Sequence, residues 1–228
     1  LAGLAVGGLY HWLGRSVEGG NNLIMEEIHE PGAGVPARMA PLVLIGTVVT
    51  HLFGGSAGRE GTAVQMGGSL ASAWSQWLPG LSADDRRTLL MAGLAAGFGG
   101  VFGTPLTGAL FAIEVLAIGR LSYEAVLPCL MASIVSHWTV AAWRVQHTAY
   151  QQITLADSGL SQHLAHLDWL LLGKVAVAAI AFGLVSALFA ELTHGFQRLA
   201  KQTIRHPMLR PVAGGLLVIG LTLLLGRP

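Results

Sequence analysis

Five apolar runs, at 39–55, 89–117, 125–143, 167–192 and 211–226, constrain this chain more than anything else in it. Each approaches or exceeds the stretch of about 20 residues that crosses a bilayer as a helix. Charged residues make up 11% of the 228, against about 25% in an ordinary soluble domain. The expected class is an all-α polytopic membrane protein. A formal net charge of +1 excludes a global nucleic-acid footprint. The basic residues fit membrane orientation instead. Arg198, Lys201, Arg205 and Arg210 fall in a connection without acids, and Arg86 and Arg87 fit a turn on the same, cytoplasmic side. The connection 146–163, without Lys or Arg, belongs outside. Cys129, alone, makes no internal disulfide or thiolate site and packs as a small apolar residue. No metal cluster or nucleophile triad is visible, so neither a cofactor nor an enzyme is expected. The chain opens "LAGLAVGGLYHWLG" and stops at "LLLGRP", which reads as a piece of a longer protein.

Glycine and proline divide the runs into helices of unequal length. The expected order is a partial helix at 1–17, a short one at about 22–29 stopped by Pro31, one at 39–53, and one at about 60–77. The polar "SADDRRT" then turns the chain, with Asp84 and Asp85 in a first turn where carboxylates suit the helix dipole. The run 89–117 is too rich in glycine for one span. It reads as two half-length helices meeting at Gly103, with Thr104 as N-cap and Pro105 as the first helical residue. Helices at 125–145 and about 164–204, and a new one after Pro207, complete the order. Trp12, Trp74, Trp77, Trp138, Trp143 and Trp169 suit an interfacial aromatic belt better than a ligand box.

Backbone that leaves the helical pattern at membrane depth survives only where protein or a water-filled cavity covers it, so broken helices point to a pathway. At a half-helix start the first N–H groups lack partners and the dipole is positive, a combination that binds an anion. The stretch "GGSAGREGTAVQMGGSLASAW" puts Glu60 at such a start. An ionised carboxylate inside a bilayer costs roughly 2.5 to 3.5 kcal/mol even on the lenient scale, which makes Glu60 a functional candidate. Ionised, it can fold onto the N–H groups of Gly61, Thr62 and their neighbours in place of an anion; protonated, it leaves and the anion enters. Gly58 and Gly61 let the ion approach the backbone. The plainer reading makes Arg59 and Glu60 a solvated pair in a loop. "GGNNL" poses the same choice: Asn21 or Asn22 caps the following helix, contacts an anion, or does both.

"GREGTAVQMGG" at 58–68 followed by "MAGLAAGFGGVFGTPLTGALFAIEVL" at 91–116 resembles the CLC family of chloride channels and anion/proton antiporters. The family hallmark at this position is Gly-Arg-Glu-Gly-Pro. The match runs in order over essentially the whole chain, and it implies a CLC-type fold of broken and tilted helices. Residues 1–147 would form most of the first inverted repeat, 148–163 an extracytoplasmic connection, and 164–228 the start of the second repeat. The resemblance further implies a homodimer with one pathway per subunit, and Glu60 as the external gating glutamate that also carries the proton. Chloride members carry Gly-Ser-Gly-Ile-Pro before the first short helix, with the serine on the central ion. Here Gly20, Asn21, Asn22 and Leu23 stand there, with Asn21 at the serine position. Thr62 replaces the usual proline. Both departures are similar to the fluoride-exporting branch, and the Asn21 amide suits a small, tightly hydrated anion. The anion-binding candidates are thus Gly20, Asn21, Asn22, Leu23, Gly58, Arg59, Gly61 and Thr62. Chloride/proton exchangers place a second glutamate just after the position of Glu114. Val115 stands there instead, against a chloride-type proton relay.

Glu114 either assists proton passage or caps or pairs within the protein; the structural role is the expected one. His51 either titrates beside the motif or satisfies a helix end. Glu26, Glu27 and Glu30 read as a solvated face. The implied function is export of fluoride in exchange for protons across a bacterial inner membrane, in contact with lipid. The alternative is chloride/proton exchange or passive chloride conduction. A phosphate loop at "GSAGREGT" fails, because the Walker pattern needs Lys before Ser/Thr and a preceding strand.

Overall fold

The computed structural model describes residues 2–14, 16–17, 19–30, 32, 34–114, 123–147 and 169–226. Among these the chain is all-helical and divides into two compact units, Leu1–His147 with Pro207–Pro228, and Thr148–His206. The first unit contains α1 (Ala2–Leu13), α2 (Asn21–His29), α3 (Met39–Leu52), α4 (Arg59–Trp77), α5 (Ala83–Phe102), α6 (Pro105–Glu114), α7 (Val126–Ala142) and the C-terminal α9 (Arg210–Leu225). The second contains α8 (Trp169–Thr203). The expected 164–168 portion of α8, the connection 148–163 and Val115 lie outside the described residues.

Helix α5 is the centre of the first unit and packs against α4, α6 and α7. Leu90, Met91, Leu94 and Ala95 are buried on it, and Ile24, Ile28, Met39, Ala112 and Cys129 complete the core around it. Glycine sets how closely α4 approaches. A side chain at Gly67 would collide with the Gly93 carbonyl, and one at Gly97 with the Ala63 carbonyl. Gly93 and Gly97, four apart on one face, thus admit the α4 backbone where any side chain would hold it off. The same device joins α1 to the turn before α9, where a side chain at Gly7 would meet the Met208 backbone at 2.6 Å.

The expected break is present. Gly103, at φ 71°, ends α5 in the left-handed region with its N–H on the Gly99 carbonyl at 2.9 Å. Pro105 then opens α6, as its fixed φ and missing N–H favour. Phe98 stacks on Phe111 at 4.4 Å between centroids and clamps the corner. Of the two helices that meet there, α6 alone is half-length: its 10 residues span about 15 Å, whereas α5 has 20 residues because Ser82 starts it early. Ser82 Oγ accepts the Asp85 N–H at 3.1 Å, and Asp85 Oδ2 accepts the Ser82 N–H at 3.0 Å. This capping box converts most of the polar "SADDRRT" from turn into helix.

The stretches Tyr123–Ala142, Trp169–Thr203 and Pro207–Leu225 are long and apolar enough to cross a membrane. At 35 residues α8 is about 52 Å long, more than the roughly 30 Å hydrocarbon core, so it spans only by tilting or protruding. Trp12, Trp74, Trp77, Trp138, Trp143 and Trp169 are all exposed.

Candidate functional site

The two helix starts singled out in the sequence lie side by side. At the first, Gly20 is the N-cap with φ 55° and ψ −126°, a backbone state that side chains other than glycine resist. Neither Asn21 nor Asn22 caps the helix, contrary to the plainer expectation: no side-chain capping bond is made there. Asn21 lies one residue too far along, inside α2, and its amide turns across to α4. Its Oδ1 accepts a hydrogen bond from Gln65 Nε2 at 3.0 Å. The Asn21 Nδ2 lies 3.6 Å from the point where a side chain on Gly61 would begin. The main-chain N–H of Asn22 is engaged with the Gly19 carbonyl at 3.0 Å. Asn22 is exposed and Leu23 half-buried.

At the second start, Gly58 is an extended N-cap, φ −67° and ψ 129°, with no side-chain cap. Arg59 and Glu60 open α4 and are exposed. Among the described residues no ion pair joins them and no hydrogen bond reaches the Glu60 carboxyl. Glu60 Oε2 stands 3.2 Å from the point where a side chain on Gly58 would begin, so the carboxyl bends back over the N-cap. Glycine at 58 and at 61 keeps both approaches open.

Thr62 fixes this backbone from the α3 side. Its hydroxyl donates to the Gly58 carbonyl at 3.1 Å and meets Thr47 Oγ1 at 2.7 Å, so Thr47 is the donor of that second bond. With its hydrogen spent on Gly58, Thr62 has only its main chain to offer an anion. His51 Nδ1 donates to the Thr47 carbonyl at 2.8 Å, the helix-end role among its two readings. An open groove of about 600 Å³ between α3 and α4 is lined by His51, Arg59, Thr62 and Met66 with aliphatic neighbours.

Other candidates fall elsewhere. Glu114 is the exposed last residue of α6, and no capping or pairing partner reaches it among the described residues. Glu26 and Glu30 are exposed, but Glu27 is half-buried and accepts the Gly32 N–H at 2.8 Å, closing the turn after α2 rather than facing solvent freely. No group of three potential metal ligands occurs among the described residues. Sequence reasoning missed Gln65 and Thr47. Gln65 carried a signal, since it lies one turn past Gly61 on the same helix face.

Residues 2–227 match the family model described as voltage gated chloride channel. The chain belongs to this family. The chloride/fluoride channel protein of Pseudomonas syringae pv. tomato is 52% identical to this family member over 218 residues, 96% of this chain and 46% of that one. The H(+)/Cl(−) exchange transporter ClcA of Salmonella arizonae is 43% identical over 77 residues, 34% of this chain and 16% of that one. The crystal structure of a CLC-type fluoride/proton antiporter superposes with a TM-score of 0.79 and 32% identity, covering 98% of this chain and 54% of that one. This CLC chain therefore spans about half the length of the relatives it matches. Its family is one of integral membrane anion transporters, and its all-helical architecture is the CLC fold.

Proposed function

We propose that this chain is part of a fluoride/proton antiporter that exports fluoride, with Glu60 as gate and proton carrier. The observation that supports this best is the meeting of two helix starts around Asn21, Gln65 and Gly61, where an anion finds the first N–H groups of α4 and an amide donor. The anion contacts are assigned to Gly20, Asn21, Asn22, Leu23, Gly58, Arg59, Gly61 and Thr62, the last through its main chain. The Glu60 carboxyl competes for the same cradle when ionised and vacates it when protonated. The protein works as a homodimer in the bacterial inner membrane, surrounded by lipid. Residues 1–147 supply most of a first inverted repeat, 148–163 an external connection and 164–228 the start of a second. The resolved fluoride/proton antiporter and the Asn21 and Thr62 departures favour fluoride.

The second reading, chloride/proton exchange or passive chloride conduction, draws on the likeness to the H(+)/Cl(−) exchange transporter over 77 residues. Liposomes loaded with fluoride or chloride and carrying the full-length protein separate the two. Fluoride efflux accompanied by proton uptake supports the first; chloride movement of equal or greater rate overturns it.

A further inference from the structure

The transport reading leaves unexplained why the Asn21 amide presents its nitrogen to the site. A primary amide has a donor end and an acceptor end of nearly the same size, and only the donor end stabilises a halide. An amide free to turn would offer the wrong end part of the time. In this structure it is not free: Gln65 Nε2, one turn past Gly61, donates to Asn21 Oδ1 at 3.0 Å. That bond holds the oxygen against α4. The nitrogen is left on the side of Gly61, 3.6 Å from where a side chain there would start. The same Gln65 amide nitrogen lies 3.4 Å from the side-chain position of Gly20, so one side chain touches both helix starts.

We infer that Gln65 is a positioning residue that sets halide recognition by holding the Asn21 amide with its NH₂ toward the ion. This rests on the proposed function, since it assigns the orientation of a donor in that same site. Gln65 itself need not touch the halide. Its effect passes through Asn21 and vanishes when Asn21 has no amide to orient.

The test is a double-mutant cycle in the full-length protein, with fluoride binding followed by titration calorimetry and the fluoride-to-chloride flux ratio in liposomes. Gln65→Met keeps the volume and removes the donor. It is expected to lower fluoride affinity and the flux ratio about tenfold, the scale of one hydrogen bond to a charged group. In an Asn21→Ser background the same change should alter either by less than about twofold. Equal losses in both backgrounds, or no loss in the native one, overturn the inference. Should Gln65→Met fail to assemble, Gln65→Leu serves, because it too removes the donor and adds neither charge nor acceptor. An unmodified protein that binds and moves no fluoride defeats the transport reading and this one together, whereas intact fluoride transport insensitive to Gln65 defeats this one alone.

Discussion

The hydroxyls of Thr47 and Thr62 meet at 2.7 Å across the α3–α4 contact, and Thr62 passes its own hydrogen to the Gly58 carbonyl at 3.1 Å. The pair thereby fixes the loop that delivers Glu60 without offering a hydroxyl to an ion. Thr62→Val removes both bonds and leaves the Thr47 donor unmet. It should destabilise the protein by about 1–2 kcal/mol and change fluoride affinity less than about threefold. Thermal unfolding in detergent with parallel calorimetry checks this; a tenfold loss of affinity would make the hydroxyl a ligand after all.

Glu60 is expected to carry the coupling. Glu60→Gln keeps the shape of the side chain and removes its titration, so fluoride movement should no longer drive protons. The measurement is the pH change inside fluoride-loaded liposomes. Coupled fluxes persisting in the variant would remove Glu60 from its assigned role.

Gly93 faces the Gly67 carbonyl and Ala71 with no room for a side chain. Gly93→Val forces α4 and α5 apart and is expected to cost about 1–3 kcal/mol, the range of overpacked interiors. Fluoride flux should fall with it, because the α4 start shifts. The unfolding temperature reads the first effect and liposome efflux the second; a fully stable variant would show that the two helices tolerate separation.

Hydrogen bonds from the Ser82 hydroxyl and main-chain N–H hold the Asp85 carboxyl below the usual carboxylate range. The folded value lies under the unfolded one, so the contribution to stability is complete above about pH 4 and fades as pH falls through the folded value. Ser82→Ala should raise the Asp85 value toward normal, as read by carbon-13 titration of the carboxyl. Acid unfolding of Asp85→Asn should lose part of its pH dependence below about pH 4. An unshifted Asp85 in Ser82→Ala would disconnect the two.

What could be read in advance was what is local. Gly103 followed by Thr104 and Pro105 marks the α5–α6 corner because a left-handed cap and a proline at a helix start act within a few residues. The starts of α2 and α4 followed from glycine and the return of apolar spacing. The box between Ser82 and Asp85 is equally local, yet the charges around it read as a turn. Asn21 reads as a possible cap, but a one-residue shift in the helix start, which the sequence leaves open, moves it inside α2. Gln65 on Asn21 and Thr47 on Thr62 depend on the register between separate helices. Those registers, α2 on α4 and α3 on α4, are not written in the spacing within any one helix.

The glycine seam between α4 and α5 has a mechanical result. With main chain lying directly on main chain, α4 sits against its neighbour at a distance that no side chain at these positions would allow. On the proposed reading, Glu60 then swings from a start whose backbone is seated directly on its neighbour.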